Sequence, residues 1–344
     1  MAKARVKRKR PDPAGHHASS PWSIPKRGWK QVLKRTWAQT STDNVGLVSA
    51  GVAFYGFLAF VPLLAAIVLL YGLAADVGTL VKTMRTLFGV LPNDIAKLIS
   101  DQLVGIVHTS QGKKGVGLVL ALIVSLYGAS NGAGSLITAL NIAYQEKEKR
   151  PLWRVYLLTI IITVAAVLAA LGALVATTAL SFLGAILPHA SGPVLLIGRL
   201  ISYAALALAA AAAAATLYRY APSREEARWE WITPGSVFTA IAWLILTLAF
   251  GFYAGKVANF NATYGSLAAV VGLQTWMYLS AYAFVMGAEL NSEIEHQTAK
   301  DSTTGKPRPM GARGAWAADH VAGEDKRPSK KRTGKPSVSD KKAG

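Results

Sequence analysis

The sequence predicts an all-α, polytopic membrane protein with six transmembrane helices, an external loop of amphipathic helices and disordered basic tails. Three observations lead to this fold class. The 344-residue chain is 52% hydrophobic and only 16% charged, with a mean hydropathy of +0.33, which is too apolar for a soluble protein of this size. Six apolar runs are long enough to cross a bilayer. Most basic residues lie outside those runs.

The net charge of +19, from 37 Lys and Arg against 18 Asp and Glu, would by itself indicate a nucleic-acid-binding protein. However, residues 1–46, residues 290–344 and two short loops near 145–154 and 219–231 hold 30 of the 37 basic side chains. This distribution is typical of a membrane protein whose basic segments lie on one side of the bilayer and are attracted to anionic lipid. No nucleic-acid partner is therefore expected. The chain has no cysteine, which excludes disulfides, thiol ligands and thiol nucleophiles.

Composition divides the chain into a basic cytoplasmic N-terminal tail at residues 1–43, a transmembrane domain at 44–291 and a basic cytoplasmic C-terminal tail at 292–344. Pro, Gly, Ser and Lys crowd both tails, and regularly spaced apolar residues are few, which predicts disorder. Over residues 22–37, Trp and aliphatic side chains alternate with Lys and Arg. That pattern indicates either a basic amphipathic helix on the membrane surface or a solvated linker.

The hydrocarbon core of a bilayer, roughly 30 Å thick, requires about 20 helical residues. The six runs lie near residues 47–73, 116–143, 155–186, 194–218, 232–255 and 265–290. The apolar stretch from 155 to 198 is too long for one crossing, and Pro188, Gly192 and Pro193 mark the turn that divides it. The first run begins too far from Met1 for a cleaved signal peptide and is predicted to be a signal anchor.

Counting basic residues on alternate sides of the spans gives 30 on one side and 7 on the other. The positive-inside rule therefore predicts that both termini are cytoplasmic. Residues 76–115 form the long external connection. Their apolar residues recur at helical spacing, with a start signal at Pro92, Asn93 and Asp94, which predicts two short amphipathic helices at the outer interface.

Residues suited to catalysis are scarce. The six histidines are scattered without the spacing of a zinc site, there is no phosphate-binding loop, and Glu289 is the one acid at membrane depth in the predicted spans. Two-metal hydrolysis would need several carboxylates in that region. We therefore predict no catalytic residues, no metal, no cofactor and no enzymatic activity.

Polar and helix-distorting residues within the spans are the candidate pathway or gating positions, because each is costly in hydrocarbon unless it finds a partner or a wet cavity. Pro62 removes a backbone hydrogen bond from the first span and predicts a kink. The polar residues of the second span either line a pathway or pack closely through Gly128 and Gly132. The candidates in these two spans are Tyr55, Pro62, Ser130, Asn131 and Asn141.

Glu289 lies at the cytoplasmic end of the sixth span, and Asn291 follows it. Arg150 and Arg219 are predicted to lie at the same face and are candidate charge partners. Glu289 is accordingly either half of a structural ion pair or a gating group.

Short motifs recur in a fixed order over about residues 30–296. They are Ala50, Ala53, Phe54, Tyr55, Phe60, Pro62, Leu63 and Leu64; Asn141, Tyr144 and Arg150; Tyr218, Arg219 and Pro222; Trp231, Pro234 and Gly235; and Tyr264, Gly265, Ser266, Leu267, Trp276, Tyr278, Gly287, Ala288, Glu289, Leu290 and Asn291. This order resembles that of the YihY/BrkB family of bacterial inner-membrane proteins. Departures from the family pattern are Leu126 in place of Trp and Ala59 in place of Ser.

The resemblance implies a six-helix, multi-pass inner-membrane protein. The family has carried a ribonuclease BN label, which the residues here do not support, and suggested roles in envelope-lipid export. Two functions follow as hypotheses. One is a transporter of a small amphiphilic envelope component without its own ATPase, and the other is a non-transporting scaffold whose basic tails bind anionic lipid headgroups or a cytoplasmic partner. The sequence does not predict an oligomeric state.

Overall fold

The computed structural model describes residues 14–74, 116–186, 192–253 and 267–323. Regular structure in these ranges is helical, apart from one isolated bridge between Ala227 and Thr303. A short 3-10 turn, Pro21–Ser23, precedes the first helix. The helices are α1 Lys26–Thr42, α2 Val45–Ala74, α3 Val116–Ala143, α4 Leu152–Ile186, α5 Gly192–Tyr220, α6 Trp229–Phe252, α7 Ala268–Glu295 and α8 Trp316–Asp319.

The long helices coincide with the apolar runs of the sequence. Leu152–Ala169, Ile201–Tyr220 and Trp229–Phe252 are long and apolar enough to cross a membrane, and α1 with Val45–Phe60 passes the same criterion as a pair bent by 64°. Residues in the interior of a helix form their backbone hydrogen bonds within the helix, as hydrocarbon requires. The all-helical membrane fold is thus confirmed. The count of six crossings stays a prediction, and the external connection at 76–115 lies outside the described residues.

Helix α2 lies at the centre of the bundle, against α3 on one side and α7 on the other; α6 packs on α7, α5 on α6 and α4 on α3. Small residues permit the close approach of α2 and α3. A β-carbon on Gly132 would lie 3.1 Å from that of Ala59, and one on Gly128 would lie 3.0 Å from Cγ of Pro62. The glycines of the second run therefore serve close helix packing.

The outward faces of the bundle are apolar. On α4, Leu157, Ile161 and Leu168 are at least half exposed. On α6, Ile241 and Ile245 likewise point outward. Side chains three or four positions apart share one face of a helix. These faces suit contact with hydrocarbon and would be a liability in water.

A folded layer, which we call the polar cap, covers one end of the bundle. It comprises residues 14–43, 144–151, 221–228 and 292–323. Helix α1 meets α2 at Asn44, whose φ of +50° lies in the left-handed region that Asn tolerates. The predicted helix in residues 22–37 exists as Lys26–Thr42. Its placement on the membrane surface stays a prediction.

The expectation of disordered tails is wrong for the described parts of both tails. The backbone N–H of Ala299 donates to the carbonyl oxygen of His16 at 2.8 Å, and Gln297 Nε2 donates to that of Ala14 at 2.6 Å. Val32 and Ile294 are fully buried together in one apolar cluster. Helix α7 extends past the predicted span end to Glu295, so it offers a surface on which both tails fold.

Candidate functional site

A cavity of about 340 Å³ lies among the middle turns of α2, α3, α4 and α7. Its lining is dominated by small and apolar side chains. Six of the lining residues are Ala53, Ala59, Gly132, Ala133, Ala166 and Ala281. Alanine has no side-chain atom beyond the β-carbon, and glycine has no side chain. The four helices can therefore pack closely, and their short side chains leave space between them.

Two polar side chains at the cavity wall, those of Thr163 and Trp276, make hydrogen bonds within the bundle. Thr163 donates its hydroxyl to the carbonyl oxygen of Thr159 at 2.7 Å. The indole N–H of Trp276 donates to Oγ1 of Thr247 at 3.2 Å. The cavity therefore presents a largely apolar wall, and an apolar ligand would meet no unpaired charge there.

None of the candidate residues of the first two spans is among the residues that line this cavity. Tyr55 is about half exposed on the outer face of α2, with its ring edge against Phe54. Asn131 is exposed, while Ser130 is buried and donates to the carbonyl oxygen of Tyr127 at 2.6 Å. Pro62 packs against Gly128, and α2 continues through it as a helix. Sequence reasoning selected polar side chains, whereas the cavity is built from small residues beside them.

Asn141 connects the end of α3 to two loops of the polar cap. Its Nδ2 donates to Oε2 of Glu148 at 3.0 Å, and its Oδ1 accepts the backbone N–H of Ser223 at 2.7 Å. The side chain is buried. It acts as a packing and positioning group within the cap.

Arg150 and Arg219 pair with carboxylates other than Glu289. Arg150 Nε and Nη2 donate to Glu148 at 2.8 and 2.7 Å. Arg219 Nη2 lies 2.8 Å from Glu226. The carboxylate that pairs with each arginine is two residues away for Arg150 and seven for Arg219. Pairing of either arginine with Glu289 stays a prediction.

The ion pair of Arg150 also sets the charge of its partner. Hydrogen bonding from the Arg150 side chain lowers the pKa of Glu148 from 4.5 to about 2, against the opposing effect of partial burial. Glu148 is therefore a stable anion at the surface of the polar cap.

Asn291 clamps α7 to α6. Its Oδ1 accepts the backbone N–H of Gly235 at 2.7 Å, and its Nδ2 donates to the carbonyl oxygen of Ile232 at 3.0 Å. Glu289, two residues earlier, is completely buried. Neither of its carboxyl oxygens has a hydrogen-bond donor among the described residues, and the carboxyl group of Asp43 faces it.

Sequence reasoning missed a buried ion pair between Arg224 and Glu295. The two guanidinium–carboxylate distances are 3.0 and 2.6 Å, and both side chains are almost wholly inaccessible. Ser302 adds a hydroxyl hydrogen bond to Glu295 at 2.6 Å, and the Arg224 guanidinium lies over the Tyr144 ring. A sequence signal existed, since Glu295 shares a helix face with Asn291 and Ala288.

Among the residues that the structure describes, no group of three or more His, Asp or Glu side chains is placed to hold a metal ion. The fold and the site define a helical membrane protein whose bundle holds a partly open apolar cavity beneath a polar cap. Residues 36–311 match the family model described as virulence factor BrkB. The chain belongs to this BrkB family of membrane proteins.

Comparison with curated protein sequences gives several relatives. The chain is similar to a protein of Bacillus subtilis (strain 168) named putative ribonuclease-like protein YfkH, with 32% identity over 196 residues that cover 54% of this chain and 69% of YfkH. A UPF0761 membrane protein of Verminephrobacter eiseniae (strain EF01-2) is 24% identical over 274 residues. These residues are 77% of this chain and 62% of that protein, so the match spans less than two thirds of the relative's length. A UPF0761 membrane protein of Xanthomonas campestris pv. campestris (strain B100) is 33% identical over 78 residues, 23% of this chain and 18% of that one. No solved structure matches.

Proposed function

We propose that this protein is a non-enzymatic transporter that moves a small amphiphilic component of the bacterial envelope, such as a lipid, across or within the inner membrane. The observation that carries the proposal is the apolar cavity of about 340 Å³ between α2, α3, α4 and α7. Its size is within the range of small-molecule sites in proteins. Its apolar wall favours a hydrocarbon chain over an ion or a sugar, since polar ligands lose their hydration there without compensation.

The energy for such movement comes from outside this chain in our proposal. The sequence has no phosphate-binding loop, so an ion gradient, the gradient of the substrate or a partner protein drives the transport. The ribonuclease-like description belongs to YfkH. We propose no hydrolytic role here, because the sequence offers few acidic and histidine side chains at membrane depth.

We further propose that both termini are cytoplasmic. The concentration of basic residues in the tails and in two short loops supports this orientation. Contacts within the polar cap agree with one shared side for the two tails, since Thr298 Oγ1 donates to the carbonyl oxygen of Ala18 at 2.7 Å.

Reconstitution into liposomes tests the transport proposal. Purified protein is incorporated into vesicles that carry a fluorescently labelled phospholipid, and the loss of outer-leaflet signal after a membrane-impermeant quencher is followed. We expect faster transbilayer movement with the protein than without it. Ala166→Leu fills the cavity from α4 and should slow the movement severalfold. Its neighbour Ala165, also on α4 but outside the cavity lining, provides the matched control Ala165→Leu.

Equal rates for Ala166→Leu, Ala165→Leu and the unmodified protein would contradict a pathway through the cavity. No transbilayer movement of any native lipid or under any ion gradient would contradict transport itself. The Ala165→Leu control also reports whether added bulk on α4 disturbs folding, because its thermal unfolding is measured in the same preparation.

The scaffold alternative has one observation in its favour, which is the exposed face of α1 and the preceding turn. Trp22, Leu33 and Trp37 are 56–70% exposed, and Lys26 and Lys30 are exposed beside them. Aromatic rings and lysines together suit the headgroup region, where each basic residue contributes about 1 kcal/mol of attraction to anionic lipid. Lys26→Gln with Lys30→Gln should then lower the share of anionic lipid that co-purifies. A scaffold would lose its cellular phenotype in that variant, whereas a transporter would keep most of it.

A further inference from the structure

Glu289 is an acid buried without a compensating donor. It lies on α7 with no solvent exposure, and both of its carboxyl oxygens lack a donor among the described residues. An ionised carboxylate in such a place has lost its hydration and gained nothing in return. The side chain therefore needs either a counter-charge or a proton.

Asp43 faces Glu289 from the joint between α1 and α2, and its surroundings are different. Its Oδ2 accepts hydrogen bonds from Nε2 of Gln39 and from Nε2 of Gln145, both at 2.9 Å. Two amide donors stabilise a negative charge on Asp43, whereas no donor group of the described residues does so for Glu289. Two adjacent carboxyl groups in unequal surroundings share one proton unequally, and the proton resides on the less solvated group.

The other charged and titratable groups near Glu289 do not supply the missing counter-charge. Glu293, one turn later on α7, is itself acidic and is paired with Arg35 of α1 at 2.5 Å and with His296 at 3.5 Å. Tyr144, which follows α3, is a buried neutral phenol that also faces Glu289. The Arg35 guanidinium is therefore directed to Glu293 and not to Glu289.

We propose that Glu289 and Asp43 form a proton-binding site that holds one proton on Glu289 and one negative charge on Asp43. In this arrangement the Glu289 hydroxyl donates its hydrogen to the Asp43 carboxylate, which accounts for the missing donor. Loss of the proton to water leaves two carboxylates in contact and thus a repulsion between α7 and the joint of α1 with α2. Both α2 and α7 line the cavity. Proton release is therefore linked to cavity shape, and this link to transport rests on the proposed function.

Infrared spectroscopy of the full-length protein in lipid nanodiscs tests the site without any transport measurement. A protonated carboxylic acid has a C=O stretch that is resolved from the carboxylate and amide bands. We expect this band at neutral pH in the unmodified protein and its loss in Glu289→Gln. The matched control is Glu230→Gln, at an exposed carboxylate in the first turn of α6, which should retain the band.

A titration of the band supplies a second measurement that does not depend on the folding of Glu289→Gln. We expect the band of the unmodified protein to disappear as the pH is raised. In Asp43→Asn the neighbouring negative charge is gone, so the band should disappear at a lower pH. Absence of the band at neutral pH, its persistence in folded Glu289→Gln, or an unshifted titration in Asp43→Asn would overturn the proposal.

The two proposals fail separately. A band with the expected behaviour in a protein that moves no lipid would preserve the proton site and remove the transport function. Transport that is blocked by Ala166→Leu in a protein without the band would preserve the cavity pathway and remove the proton site.

Discussion

Asn291 and Gly235 are joined by a hydrogen bond that only a glycine permits. Asn291 Oδ1 accepts the backbone N–H of Gly235 at 2.7 Å. A β-carbon at Gly235 would overlap the carbonyl oxygen of Gly287 and the Asn291 side chain. The backbones of α6 and α7 thus approach each other directly, and Tyr218 of α5 completes the junction through Thr239, with 2.7 Å between the two side-chain oxygens.

Replacement of Gly235 by alanine should separate α6 from α7. Overpacking of this kind costs about 1–3 kcal/mol of unfolding free energy, and the clash here is with backbone, which cannot move aside easily. Thermal unfolding in detergent measures the loss. The matched control is Gly251→Ala on the same helix, where the added β-carbon meets no atom within 4 Å. That control should gain up to about 1 kcal/mol from the better helix propensity of alanine. Equal stability of the two variants would refute the close packing described here.

Truncation of Asn291 should leave two buried backbone groups unpaired. In Asn291→Ala, the N–H of Gly235 and the carbonyl of Ile232 lose their partner, at a cost of about 1–3 kcal/mol for each buried unsatisfied group. Asn131→Ala is the control, because Asn131 is exposed and its side chain donates over a long 3.4 Å to Gly128. The control should change stability by less than about 0.5 kcal/mol. If chemical denaturation shows the same stability for both, Asn291 is not a clamp.

Neutralisation of Glu295 should strongly destabilise the polar cap. Glu295→Gln leaves the Arg224 guanidinium charged and buried, with side-chain exposures of 1% for Arg224 and 0% for Glu295 in the native pair. Removal of one partner from a buried pair costs about 3–5 kcal/mol. Glu225→Gln breaks the pair with Arg308, in which the Arg308 and Glu225 side chains are 46% and 47% exposed. This variant should lose less than about 1 kcal/mol of stability. Limited proteolysis of residues 292–323 would report the loss of the cap.

The pair of Glu148 with Arg150 should make part of the stability depend on acid pH. The folded-state pKa of Glu148 is about 2 and its ordinary value is 4.5, so the stabilisation is complete above pH 4.5 and is lost as the pH falls towards 2. Arg150→Gln returns the pKa towards its ordinary value and removes this contribution. The difference in Tm between the unmodified protein and Arg150→Gln should therefore shrink as the pH falls through that window.

The matched control for this pH dependence is Arg154→Gln. Arg154 lies exposed near the start of α4, with its guanidinium over the Trp153 ring. Its replacement removes the same charge without affecting Glu148. A Tm difference for Arg154→Gln that shrinks in parallel would show that net charge, and not the Glu148 pair, causes the effect.

Several features of the candidate site could be predicted from the sequence and others could not. Periodicity and hydropathy located the helices, because a span of lipid-facing residues has a composition that no other environment favours. The sequence indicated Glu289 and Asn291 as candidate site residues, because polar groups at membrane depth are energetically costly. Their partners were not predicted. Arg150 pairs with Glu148 and Arg219 pairs with Glu226, and the neighbour of Glu289 is a second acid, Asp43.

The cavity is a further feature that sequence reasoning missed. It is lined largely by alanines and glycines such as Ala53, Gly132 and Ala133, which are common throughout the apolar runs. Nothing in their local sequence separates those that line a space from those that fill a helix contact. The distinction depends on how four helices cross.

The sequence by itself determined an all-helical membrane protein, since composition, run length and charge distribution are properties of the chain alone, and the order of its short motifs indicated the resemblance to the BrkB family. Tertiary structure decided what the tails do, where the polar residues of the spans are directed and where space remains. The physical reason is the sequence separation over which each interaction acts. Hydropathy acts on each segment through its own contact with lipid or water, whereas the pairing of Glu295 with Arg224 joins residues 71 positions apart and requires α7 and the loop before α6 to be in place first.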